Sequence, residues 1–300
     1  MSAIKKVLLI GQNGQVTTYL QRELGGDQAL SGLQLQVAGR DILDLSDVDG
    51  IEAILDDISA DMIINPAAYT AVDLAEQEAD AAFTINRDAV AAIAAYCART
   101  NTPLIHFSTD YVFDGDANEA YLESDETAPN GVYGQSKLEG ENAILASSAP
   151  AIILRTSWVY SNHGKNFYKT MLNLAASRDQ LSVVGDQVGA PTYAGSIANA
   201  TKQLVALIVE QGGISEGQSG IYNFSCQGQT SWAEFAKAIF IENEITNITV
   251  NSIRTDEYPT PAKRPAFSVL DGTKLKQTFD ISLPHWGTAL AHCAAQTKAS

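Results

Sequence analysis

Seven short apolar runs punctuate the chain, and longer stretches of helical periodicity separate most of them. The runs are KVLLI (6–10), LQVAG (35–39), MIINPAA (62–68), PLIHFST (103–109), AIILRTSWVY (151–160), LSVVGD (181–186) and GIYNFS (220–225). A strand covered on both faces reads as continuous apolar sequence, and strands are covered that way in parallel sheets whose crossover helices lie on each side. The pattern predicts an α/β fold, a doubly wound parallel sheet of the Rossmann kind. Its helical half is visible in SDVDGIEAILDDIS, where Val48, Ile51, Ile54, Leu55 and Ile58 recur at three- and four-residue steps behind Ser46, a candidate N-cap. A longer helical run is expected over about 71–99, and another from VYGQSKL onward.

After about residue 157 the texture changes. Pro and Gly appear in VGDQVGAPTYAG and DEYPTPAKRPAF, with the helical TSWAEFAKAIF between them. Residues 1–156 are read as a dinucleotide-binding domain. Residues 157–300 are read mainly as a smaller C-terminal substrate domain with some strands and helices returning to the sheet, because no repeat or low-complexity tether separates the two.

A formal charge of −16 argues against nucleic acid as a partner, since phosphate backbones need clustered Lys and Arg. Backbone amides at a helix start can still hold a small anion. No run approaches 18 apolar residues, which argues against a membrane span, and Val7–Ile10 is too short for the core of a signal peptide. Cys97, Cys226 and Cys293 show no metal-ligand spacing and fit buried reduced thiols in a cytoplasmic protein.

LLIGQNGQVTTYL places Gly11 directly after the first strand and Gly14 at the opening of the next helix. Gly11 permits the tight turn, and Gly14 lets backbone amides approach a pyrophosphate. A plain strand-to-helix turn has the same look, and the third glycine expected at 17 is Thr17. Arg40 ends the second strand, where an arginine can pair with an adenosine 2′-phosphate. A solvated arginine fits that position equally well, and Asp41 follows it.

Tyr133 and Lys137 are four residues apart, so a helix presents both to one ligand. A phenol titrates near ~10, and a nearby ammonium favours the phenolate, so such a pair can exchange a proton with a carbonyl or alcohol. FSTDYVFDG sets Ser108, Thr109 and Asp110 at the C-terminal end of a predicted parallel strand, where open α/β sheets bind ligands. Thr109 there can hold a substrate oxygen beside Tyr133, although the stretch taken alone favours a buried strand-end hydroxyl.

Seven blocks in order, NPAAYTAVDLAE, STDYVFDG, VYGQSKLEGE, RTSWVY, NFYKTMLNLA, LSVVGDQVGAPT and YPTPAKRP, resemble the extended short-chain dehydrogenase/reductases. Within that superfamily they are most similar to the branch of keto-sugar reductases that convert dTDP-4-dehydro-L-rhamnose to dTDP-L-rhamnose. The resemblance implies a catalytic triad of Thr109, Tyr133 and Lys137: Tyr133 the proton donor, Lys137 on the nicotinamide ribose and lowering the tyrosine pKa, Thr109 orienting the carbonyl. It implies NADPH or NADH, with Gly11, Gly14, Gln15 and Val16 at the pyrophosphate, Asp44 and Leu45 on the adenosine side, and Ala67, Ala68 and Thr70 along the cofactor channel. Trp158 would pack near the sugar, a place a core aromatic also fits, with Asp110, Tyr111 and Asn166 as neighbours. It further implies Mg2+ and a homodimer, because some members hold a metal at a dimer contact made by carboxylates; no ligand set for it maps onto this sequence.

Thr17, Gly131 and Pro66 depart from the family pattern. The rival functions are a nucleotide-sugar epimerase or dehydratase, a non-catalytic NADP-binding regulatory subunit of methionine adenosyltransferase, and a nucleotide-binding scaffold. A dehydratase would carry Glu after the aspartate, where this chain has Tyr111.

Overall fold

The computed structural model describes residues 4–26, 30 and 32–299. In chain order the strands are β1 (Lys6–Ile10), β2 (Gln34–Ala38), β3 (Met62–Asn65), β4 (Leu104–Thr109), β5 (Ala151–Thr156), β6 (Val159–Tyr160), β7 (Gln180–Val184), β8 (Val188–Gly189), β9 (Thr192–Tyr193), β10 (Gly220–Asn223), β11 (Thr230–Ser231) and β12 (Thr249–Ile253). The helices are α1 (Gln15–Gly25), α2 (Val48–Ile58), α3 (Val72–Ala75), α4 (Ala79–Phe83), α5 (Ala89–Thr100), α6 (Val132–Ser147), α7 (Phe167–Ala175), α8 (Ala194–Gln211), α9 (Trp232–Glu242), α10 (Thr273–Phe279) and α11 (Trp286–Ala299).

One six-stranded sheet, ordered β2-β1-β3-β4-β5-β10, forms the centre, and every neighbouring pair in it is parallel. Alternate residues of a strand face opposite sides. Leu9, Ile64, Ile105 and Leu154 accordingly join one core with Leu20 of α1 and Leu204 of α8. Leu8, Ile10, Ile63 and Ile153 join the other with Ile51 and Leu55 of α2 and Ile93 of α5. β3, β4 and β5 are buried along their whole length, which is why their sequences lack the polar alternation of a half-exposed strand.

Four local expectations change. LSVVGD does not enter the main sheet: β7 pairs with β12 in a separate two-stranded sheet, and its alternating burial reflects a strand with one open face. AIILRTSWVY is two strands, because Trp158 adopts φ 46° and turns the chain out of the sheet into β6, which pairs with β9. The helical run over 71–99 breaks into α3, α4, a π-helical turn at Thr84–Asp88 and α5. The π turn carries the buried Asn86, whose side chain binds both backbone groups of Tyr69 and the Ser136 hydroxyl of α6, so a cross-link to the site overrides helical regularity. Ser46 does not cap α2; its hydroxyl donates to Asp44 and Asp47 occupies the N-cap.

The C-terminal half contributes β10 to the sheet edge beside β5, and α8 packs on α1. β6–β9, β7–β12 and β8–β11 form three separate two-stranded sheets.

Candidate active site

The strand order reverses at β1 and β3, so the chain parts there and leaves a crevice beyond their C-terminal ends. Gly11 follows β1 at φ 95°, a left-handed conformation that a side chain would strain, and its N–H donates to Ala38 O at 2.7 Å. Gly14 then opens α1 with no side-chain cap, leaving first-turn amides free for an anion. Thr17, where a third glycine was expected, is buried, its hydroxyl 3.5 Å from where a Cβ on Gly11 would lie. The threonine fills the loop without closing the crevice.

The crevice has two ends. A cavity of about 410 Å³ is lined by Arg40, Asp44 and Leu45. A second, of about 660 Å³, is lined by Gly14, Gln15, Val16 and Thr70, by Thr109, Asp110 and Tyr111, and by Tyr133, Lys137, Trp158 and Asn166. Gly11, Ala67 and Ala68 line both, so the two are continuous. Every candidate catalytic, cofactor and substrate residue named from the sequence thus borders one cleft.

α6 aims Tyr133 and Lys137 at the cavity. Gly134 lies so close to the turn after β4 that a Cβ there would stand 2.2 Å from Tyr111 O, and this contact seats Tyr133 against Tyr111 with ring centroids 5.5 Å apart at 74°. One turn on, Lys137 Nζ donates to Phe107 O at 2.7 Å and lies 3.2 Å from His106 Nε2. Burial drives the Lys137 ammonium down to about 8, with Glu141 opposing. Burial raises the Tyr133 phenol above its ordinary value, and a hydrogen bond with Thr109 opposes it. Burial therefore dominates the phenol, and Lys137, whose Nζ turns inward to β4, is not among the groups that shift it.

Thr109 Oγ1 donates to Asp110 Oδ1 at 3.0 Å and accepts from Tyr111 N at 3.2 Å. Asp110 is buried and its other oxygen has no partner; burial pushes the carboxyl up to about 6, opposed by Ser268 and Thr109. Ser108 Oγ and Thr156 Oγ1 are also buried, unpartnered and on the cavity wall. Buried oxygens of this kind fit a site completed by ligand atoms.

Trp158 forms the facing wall, its indole stacked on Trp232 at 3.5 Å and 6°. Asn166 caps α7 and donates to Gln15 Oε1 at 2.7 Å, tying the glycine loop to the C-terminal half. Ser161 donates to the same oxygen.

Sequence reasoning missed several residues that hold the site. His106 and Asn65 are fully buried behind Lys137, and Glu141 and Arg155 form a buried ion pair at 2.6 Å. Arg264 pairs with Asp73 at 2.7 Å and faces the Tyr111 phenol. The available signal was a polar side chain inside an otherwise apolar run, as in PLIHFST and AIILRTSWVY. Mg2+ gains no support, since no group of three or more His, Cys, Asp or Glu able to hold a metal occurs among the described residues.

Residues 5–299 match the family described as the RmlD substrate binding domain. The chain is 44% identical to the dTDP-4-dehydrorhamnose reductase of Sinorhizobium fredii over 94% of each sequence. Among solved structures it resembles the dTDP-4-dehydrorhamnose reductase of Clostridium acetobutylicum, with 35% identity, a TM-score of 0.88 and coverage of 98% of this chain and 99% of that one. The reductase of the same name from Bacillus anthracis, solved in complex with NADP, matches with 32% identity, a TM-score of 0.88 and the same coverage.

Proposed function

The chain belongs to the dTDP-4-dehydrorhamnose reductase family, and from that membership we infer that it reduces the 4-keto group of dTDP-4-dehydro-L-rhamnose to the alcohol of dTDP-L-rhamnose, using a reduced nicotinamide cofactor. The observation that carries this reading is the grouping of Thr109, Tyr133 and Lys137 on one cavity beyond the end of β4, with Trp158 on the same cavity. The cleft suits a dinucleotide on its own terms: Gly11 is left-handed, the start of α1 is uncapped, and the buried oxygens of Ser108, Asp110 and Thr156 lack partners.

When bound, the nicotinamide supplies the hydride. The protein's part is to hold the keto carbon in place and move one proton. Tyr133 gives its hydroxyl proton to the developing alkoxide, the step a buried neutral phenol is suited to. Thr109 must turn its proton from Asp110 to the substrate oxygen, a turn that the protonated carboxyl favours and that the carboxylate, present above about 6, resists. Lys137 supplies positive charge from beneath and binds the ribose. Trp158 gives the sugar an apolar wall, braced by Trp232.

NADPH is the proposed reductant, supported by Arg40 at the adenosine end and by the NADP complex of the Bacillus anthracis relative. Residues 1–156 would hold the dinucleotide and 157–300 mainly the sugar. No helix among the described residues is long and apolar enough to cross a membrane, and three buried free thiols support a reducing, cytoplasmic setting. A homodimer without nucleic acid is the proposed assembly, open to test by light scattering.

The direct test follows loss of reduced-nicotinamide absorbance with dTDP-4-dehydro-L-rhamnose, using NADPH and NADH in parallel. Wild type should turn over, and Tyr133→Phe should lose about 10²–10⁴-fold in kcat with cofactor affinity near normal. Turnover of the phenylalanine variant within a few-fold of wild type would remove Tyr133 as proton donor. Absence of wild-type turnover with intact cofactor binding would favour another keto-sugar.

A further inference from the structure

Behind Lys137 runs a line of polar groups whose directions are fixed from one end. The Ala67 N–H lies 3.1 Å from Asn65 Oδ1, and a backbone N–H can only donate, so the amide oxygen of Asn65 must face it. The Asn65 NH2 is thereby turned to His106 Nδ1 at 3.3 Å. An NH2 also only donates, so Nδ1 is the acceptor and the neutral ring carries its proton on Nε2. A cationic ring is excluded by burial, which drives the imidazole well below its ordinary value.

The Nε2–H therefore faces Lys137 Nζ at 3.2 Å. An ammonium has no lone pair to receive it. A neutral amine does, and it keeps an N–H for Phe107 O at 2.7 Å. Only with a neutral amine is every group in the line satisfied.

We propose that Asn65 and His106 are positioning residues that hold Lys137 as a neutral amine while the cleft is free of dinucleotide, and that dinucleotide binding returns a proton to it. The inference rests on the cofactor reading above and adds a protonation state to it. Among the surrounding charges, Glu141 favours the ammonium, and that opposition is offset. On α6, Glu141 is the nearest carboxylate, and its charge is matched by Arg155 of β5 at 2.6 Å. Tyr133, also on α6, stays neutral, as does His106 of β4; Asp110, past the end of β4, is ionised above about 6, and its carboxylate accepts from Thr109. Burial pushes the Lys137 ammonium the same way, to about 8. A bound dinucleotide adds hydroxyl acceptors and negative charge, both of which favour the ammonium. Affinity should then fall about tenfold per pH unit above the free-state titration of Lys137, until the bound-state value is reached.

Calorimetric titration with NADH, which lacks a titrating 2′-phosphate, tests this in two buffers of different ionisation enthalpy at a pH of about 8.5, where an ordinary lysine near ~10.4 stays charged. Wild type should take up about three-quarters of a proton per NADH bound, the fraction of Lys137 that is neutral at that pH when it titrates at about 8. Asn65→Asp keeps an acceptor for Ala67 N–H but accepts from His106 Nδ1–H, reversing the line so that Nε2 receives an ammonium; uptake should vanish while binding persists. His106→Gln presents an amide oxygen to the lysine and should do the same, covering the case that a buried aspartate prevents folding. Uptake below about a tenth of a proton in wild type, or uptake retained in the folded variants, would overturn the proposal. Failure to bind either NADH or NADPH would instead remove the cofactor reading, and this inference with it.

Discussion

At the end of the cleft proposed for adenosine the wall is backbone and open side chain. Gly11 offers a turn, α1 offers amides, and Arg40 has 80% of its side chain exposed, 3.9 Å from Asp44. At the end proposed to be catalytic, Asn65, His106, Asp110 and Lys137 are each exposed by 2% or less and cross-linked to one another or to their strands. Phosphate can be held by amides that every residue carries, so the first end tolerates Thr17 in its loop. A proton can be delivered only from a place fixed in advance, so the second end is enclosed in a frame of buried polar bonds.

The largest blow to this contrast should come from Glu141→Ala. Arg155 would be left charged in the core with one nitrogen already unpartnered, and only its stacking 4.9 Å above Phe113 remaining. A loss of about 3–5 kcal/mol is expected in urea unfolding. A loss under about 1 kcal/mol would mean that the frame is not what holds the catalytic end.

Asp110→Asn should act more gently and depend on pH. Its carboxyl titrates at about 6 in the fold against 3.8 when free, so ionisation above that value costs the wild-type fold stability. That stability is present at low pH and is lost as pH rises between the two values. The variant should be more stable by up to about 3 kcal/mol at pH 8 and unchanged at pH 4, read from unfolding midpoints at each pH. Equal effects at both pH values would place the carboxylate in contact with solvent or a cation.

Arg40→Ala should sharpen the contrast from the open end. Stability should be unchanged, NADPH should bind weaker by about fivefold at most, and NADH should be unaffected. An equal loss for both cofactors would show that the arginine contacts something other than the 2′-phosphate.

Much of the first end was legible in the sequence because its logic is local. A strand, a glycine and a helix start are adjacent in the chain, and residues 6–16 state the crevice almost completely. Tyr133 and Lys137 were legible for the same reason, being one helical turn apart. The supports of the second end are remote: Asn65 meets His106 across 41 residues, and Asn166 reaches Gln15 across 151. No periodicity encodes such pairs. The break at Trp158 was equally hidden, since its left-handed turn is sustained by the stacked Trp232, which lies 74 residues along the chain.

The sheet edge at β5 is covered by β10, and the two are far apart in the chain: β5 ends at Thr156 and β10 ends at Asn223. During synthesis the first five strands leave the ribosome with that edge bare, and at about 5–20 residues per second the covering strand arrives roughly 3–13 s later. An uncovered edge is a template for another chain. The first five strands are thus bound to β10 in time as well as space, and a nascent chain that stalls short of residue 220 would present other nascent chains with an open strand.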